Sequence, residues 1–111
     1  MKYQNQLVNY FKYFSNKNIN LLSEMFSDKV ELSDWNISAI GKDEVIEANQ
    51  NIFDSVNSIR VTPVNFYSKS DLTYAVQIYI IINDEEVLNV IDVIEFDNDG
   101  LILSINAYKI F

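Results

Sequence analysis

The chain has 111 residues, 49% of them hydrophobic and 14% aromatic, which is the size and apolar content of one domain with a core of its own. Its formal net charge of −8 opposes association with phosphate backbones, so a nucleic-acid partner is not expected. With no cysteine and no histidine it lacks a disulfide frame, a thiolate nucleophile, a histidine base and any Cys- or His-held metal or haem, so proton transfer falls to Asp, Glu, Tyr or Lys.

Taken in order, residues 3–15 carry Tyr3, Leu7, Tyr10, Phe11 and Phe14 at three- and four-residue spacing, one apolar stripe of a helix. Asn16-Lys17-Asn18 breaks it, and Ile19, Leu22, Met25 and Phe26 predict a short second helix over 19–26. Residues 29–35 alternate as a strand. After Gly41, residues 43–56 read as a third helix, with Asp43 and Glu44 near its positive end and a stripe of Val45, Asn49, Ile52, Phe53 and Val56. Strands are predicted over 58–67, 72–83, 86–96 and 101–110, with Pro63 marking an edge position or a bulge. The short turns at Asn83-Asp84 and Asp97-Asn98-Asp99-Gly100 make these strands antiparallel neighbours. Residues 1–111 are expected to form a single α+β domain, three helices packed on a curved, largely antiparallel sheet. No apolar run approaches the ~20 residues of a membrane helix and the N-terminus has no signal-peptide pattern, so a cytoplasmic protein without a membrane partner is expected. The acidic turn 97–100 has only a faint likeness to an oxygen-ligand cation loop, and neither a metal nor a cofactor is expected.

Parity then singles out polar groups on apolar faces. One face of 88–96 reads Leu88, Val90, Asp92, Ile94, Phe96, and one face of 30–34 reads Val30, Leu32, Asp34. Tyr10 lies in the stripe of the first helix and Asn49 interrupts that of the third. Burying a charge without a partner is costly and raises a carboxyl pKa, and two carboxylates in unlike surroundings can divide acid and base roles. Structural roles exist for each: Asp34 as a turn cap before Trp35-Asn36, Tyr10 as a core tyrosine with its hydroxyl reaching water, Asn49 as a helix-side amide, Asp92 as a buried structural carboxyl.

At these residues the chain resembles the NTF2-like superfamily, and within it the ketosteroid isomerase and SnoaL-like branch. The resemblance runs from Leu7 to the C-terminus. It is carried by Leu7-Val8-Asn9-Tyr10-Phe11, by Met25-Phe26-Ser27-Asp28-Lys29-Val30-Glu31-Leu32-Ser33-Asp34, by Gly41 opening a helix, and by Val90-Ile91-Asp92-Val93-Ile94-Glu95-Phe96 with the turn after it. It implies a cone, a strongly curved sheet wrapping a long helix with a deep pocket between. Aligned on Phe26 and Asp28, Asp34 falls on the isomerase general base, Tyr10 on the oxyanion-hole tyrosine, and Asp92 on the second oxyanion donor, a protonated aspartic acid. Phe26, Trp35, Asn49, Val90 and Ile105 are the expected substrate-binding residues. Asn49 stands where the isomerases tend to carry a tyrosine, and Trp35 where they carry a proline. The resemblance also implies a homodimer through the open sheet face, whose odd-numbered row on 73–81 (Thr73, Ala75, Gln77, Tyr79, Ile81) is mixed in character.

The expected function is proton transfer α to the carbonyl of an apolar cyclic ketone, with a non-catalytic small-molecule-binding or dimerisation domain as the alternative. The enzyme reading requires Tyr10 and Asp92 to face one cavity with Asp34 across it. An Asp34 turned outward to cap a backbone amide removes it, and a pocket filled by Phe and Ile side chains removes ligand binding as well.

Overall fold

A computed structural model describes residues 1–110. Three helices precede or interrupt the strands: α1 (Gln4–Ser15), α2 (Ile19–Met25) and α3 (Lys42–Ser55). The six strands are β1 (Phe26–Ser33), β2 (Ser38–Ile40), β3 (Ile59–Ser68), β4 (Thr73–Ile82), β5 (Glu86–Phe96) and β6 (Ile102–Ile110). They form one sheet in the order β2-β1-β6-β5-β4-β3.

The predicted stripes are the faces that pack. Leu7, Tyr10 and Phe11 of α1 are buried, as are Val45, Asn49 and Phe53 of α3. Phe14 of α1 meets Phe53 of α3 edge to face, ring centroids 5.0 Å apart. The Asn18 side chain accepts from the Leu21 amide and so caps α2. Lys17 adopts a left-handed φ of 53° between α1 and α2, and its Nζ donates to the carbonyls of Val56 and Asn57 just past α3.

The antiparallel run β3-β4-β5-β6 follows the short turns as expected, and β3 is an edge strand with a register shift between Pro63 and Asn65. Two features depart from the expectation. The strand expected over 29–35 begins earlier, at Phe26, and ends at Ser33, because β1 pairs in parallel with β6 from Phe26↔Ile102 to Ser33↔Asn106 through an irregular stretch. The second is β2, three residues that pair antiparallel with the end of β1. So short a piece leaves no alternating signature, and its position is set by the turn at Asp34 described below.

Registry brings the polar residues into one row. Asp92 pairs with Val76 on one side and Ala107 on the other. Continuing the β1–β6 register one residue past Ser33↔Asn106 sets Asp34 beside Ala107.

Candidate active site

The inner face of the sheet and the helices α1 and α3 enclose a cavity of about 390 Å³. Its wall is mostly aliphatic and aromatic, with Phe11, Phe14, Ile52, Ile78, Ile80 and Ile105 among the lining side chains. Into it project Tyr10 from α1, Asn49 from α3, Asp92 from β5 and Asp34 from the turn after β1. The four come from segments far apart in the chain; Tyr10, Asn49 and Asp92 are there because each occupies a core-facing position of its own helix or strand, and Asp34 because it follows directly on β1.

Tyr10 is 5% exposed and Asp92 6% exposed, and neither side chain has a hydrogen-bond partner among the described residues. No described side-chain nitrogen or oxygen is sealed from solvent without a partner, so the two groups keep access to the cavity itself. Burial pushes the Asp92 carboxyl up to about 7, helped by the nearby charge of Asp34. Burial also drives the Tyr10 hydroxyl far above its ordinary value, with the Asp92 charge adding to the effect, so the phenol keeps its proton at any working pH.

Asp34 does two things at once. Its Oδ1 accepts from the backbone amides of Asn36 at 2.7 Å and Ile37 at 2.6 Å, and its own amide donates to the Ile37 carbonyl at 2.9 Å. This is the turn-capping role weighed from the sequence. Asp34 nonetheless lines the cavity. The capping role and the cavity position coexist, one oxygen serving the turn.

Asn49, 2% exposed, donates from Nδ2 to the Val45 carbonyl at 3.0 Å, the helix-side bond expected of it, and presents its amide to the cavity as well. Trp35 stands at the mouth, 41% exposed, with the Lys109 ammonium 5.8 Å from the ring centroid. In the orientation that satisfies its hydrogen bonds, the Asn36 amide accepts from Trp35 Nε1 at 3.3 Å and holds the indole in place.

No family model matches the chain and no curated protein matches it in sequence. Solved structures match it in shape. A candidate ketosteroid isomerase from Kribbella flavida is 12% identical, with 99% of this chain and 78% of that chain covered at a TM-score of 0.84. The epoxide hydrolase/cyclase-like enzyme SalBIII of salinomycin pyran-ring formation is 15% identical over 95% and 88%, at a TM-score of 0.81. An NTF2-like protein of unknown function from Cytophaga hutchinsonii is 17% identical over 96% and 98%, at a TM-score of 0.75. The chain has the NTF2-like fold.

In this NTF2-like fold the cavity is the hollow of the curved sheet. Of the residues expected there, Tyr10, Asp34, Trp35, Asn49, Asp92 and Ile105 all line it. Phe26 and Val90 do not. Phe26 is buried with its ring 6.4 Å from that of Tyr10, behind the cavity wall, and Val90 is wholly buried opposite Ile78. The sequence reading missed Glu86, Ala107 and Lys109 among the lining residues. Parity held the signal for two of them, since Ile105, Ala107 and Lys109 share one face of β6. No helix among the described residues is long and apolar enough to cross a membrane, and no described cluster of three or more carboxylates is placed to hold a metal ion.

Proposed function

We propose that the cavity moves a proton α to the carbonyl of an apolar cyclic ketone, as a ketosteroid isomerase-like enzyme. One observation carries the reading: two nine-tenths-buried side chains, Tyr10 and Asp92, face an apolar hollow without a protein partner, and a second carboxylate, Asp34, shares that hollow. Polar groups left unpaired at such cost are what a site built to bond a ligand oxygen contains. Asp34 takes a proton from the carbon next to the ketone, and the electron pair moves onto the carbonyl oxygen as an enolate. Tyr10 and protonated Asp92 donate to that oxygen. Asp34 then returns the proton to a different carbon, which shifts the double bond and regenerates the carboxylate.

Asp34→Asn is the informative variant. Its amide oxygen still accepts from the Asn36 and Ile37 amides, so the turn and the fold persist while the base is gone. Assayed on a panel of unsaturated cyclic ketones, this variant is expected to lose about 10²–10⁴-fold in turnover. Equal turnover by wild type and Asp34→Asn removes Asp34 as the base. The commitment of Asp34 Oδ1 to the turn favours a second reading, a small-molecule-binding domain without turnover. Ketone binding that depends on Tyr10 and Asp92 with no turnover of any panel member selects it. In both readings two copies meet through the outer sheet face, where Tyr79, Val87 and Tyr108 stand exposed, in a cytoplasmic homodimer.

A further inference from the structure

Deep in the cavity the polar atoms on offer are more often acceptors than donors. Asn49 has spent one amide hydrogen on the Val45 carbonyl, which leaves its oxygen and its second amide hydrogen. Asp34 keeps one oxygen beyond the two amides that cap it. The strand backbones of β4, β5 and β6 behind the wall are committed to the sheet ladders. Asp92 adds two further oxygens, nine-tenths buried, unpartnered and turned into the hollow. Tyr10 supplies the one hydroxyl hydrogen deep in the site and an acceptor oxygen beside it.

The charges that face Asp92 are few and mostly of one sign. Tyr10 on α1 is neutral, Asp34 follows β1, Glu86 opens β5, and Lys109 on β6 is the one cation of the lining. The helix α3 and the strands β3 and β4 contribute only Asn49 and aliphatic side chains. A neutral carbonyl ligand can use Tyr10, the remaining Asn49 amide hydrogen and, when it is protonated, Asp92. A ligand that brings its own donors can use every remaining oxygen, and an ammonium brings three with a charge that Asp92 otherwise lacks a partner for.

We propose that this cavity binds apolar amines in their protonated form, with the ammonium group donating to the Asp92 carboxylate and to the Tyr10 hydroxyl oxygen and the hydrocarbon skeleton packed on the aliphatic wall. The inference rests on the same cavity being a ligand site, but not on its catalysing anything. Ammonium binding requires ionised Asp92, whereas carbonyl binding is favoured by the protonated form, so the two ligand classes respond to pH in opposite directions.

The test uses three rigid probes of one shape: 1-adamantanamine, 2-adamantanone and 1-adamantanol. Affinities are measured by calorimetry at pH 5.5 and 8.5, where the amine is cationic throughout. The amine is expected to bind at least about tenfold tighter at pH 8.5 than at pH 5.5, while the ketone weakens over the same interval and the alcohol changes least. In Asp92→Asn the amine's pH dependence is expected to vanish. A second measurement needs no variant: near pH 7 the amine's binding enthalpy should depend on the buffer, because Asp92 releases a proton as the ammonium docks. Amine binding that is flat with pH, unchanged in Asp92→Asn and free of proton release overturns the inference, as does no amine binding at all. Ketone turnover with no amine binding sinks this inference and leaves the isomerase reading. Asp92-dependent amine binding without any ketone turnover does the reverse.

Discussion

At the scale of single residues, Tyr10 and Asp92 make predictions that separate function from stability. The Tyr10 hydroxyl has no hydrogen-bond partner among the described residues, so Tyr10→Phe removes no protein bond and is expected to shift stability by less than about 1 kcal/mol. The same change takes away an oxyanion donor and should lower turnover about 10²–10³-fold. Asp92 has the opposite profile. Its carboxyl titrates near 7 when folded and near 3.8 when unfolded. Below the lower value the group is protonated in both states and contributes no pH dependence. Between the two values only the folded chain holds the proton, so this group's contribution to stability falls as pH rises, and above about 7 the loss is complete. Asp92→Asn cannot ionise and escapes that loss. Urea denaturation at pH 5 and at pH 8.5 should therefore show the variant gaining roughly 2–3 kcal/mol over wild type between the two conditions. A constant difference between variant and wild type would mean that Asp92 ionises freely and is not held in an apolar site.

At the scale of elements, the loop from β1 to α3 builds the mouth. Asp34 closes the turn, β2 pairs back on β1, and Gly41 starts α3 with φ 90° and ψ 157°, a conformation open in practice only to glycine. A Cβ at Gly41 would meet nothing within 4 Å, so Gly41→Ala tests backbone strain without steric overlap. It is expected to cost about 1–3 kcal/mol, measured by chemical denaturation. Because the Glu44 side chain accepts from the Ile40 amide across this glycine, the same variant should also loosen the start of α3, seen as faster amide exchange there. Much of this architecture was legible beforehand. The three- and four-residue spacings located all three helices, and the period of two on β5 picked Asp92 out of an apolar row. What stayed hidden was long-range or too short to pattern. The parallel pairing of β1 with β6 joins residues some seventy positions apart and leaves no local mark. β2 has only three residues, and Asp34 belongs to a turn whose geometry depends on the Asn36 and Ile37 amides. At the site, parity on β5 and the helix stripe identified Asp92 and Tyr10, but it could not separate cavity-lining positions from those packed behind them, which is where Phe26 and Val90 lie.

At the scale of the whole molecule, charge and shape pull against each other. The chain carries 16 acidic and 8 basic side chains, and the ion pair of Arg60 with Asp84 at 3.1 Å is solvent-exposed and therefore weak. The acidic excess is thus left largely unneutralised and repels itself. On the outer sheet face, in contrast, Tyr79, Val87, Tyr108 and Ile110 are exposed and carry no charge. If two copies associate through that face, the attraction comes from apolar area, and the repulsion comes from two bodies of net charge −8 brought together. Salt shortens the reach of the repulsion to about 10 Å at 0.1 M and leaves the apolar contact intact. Association is therefore expected to tighten as sodium chloride rises from low to moderate concentration, the opposite of an interface held by ion pairs. Sedimentation velocity across a concentration series at two salt levels measures it. Tyr108→Glu should favour the monomer at both levels, because it sets a charge in the centre of the apolar patch without touching the cavity on the other face. A monomer at every concentration and salt level, or a dimer that Tyr108→Glu leaves intact, excludes the outer face of the sheet as the contact.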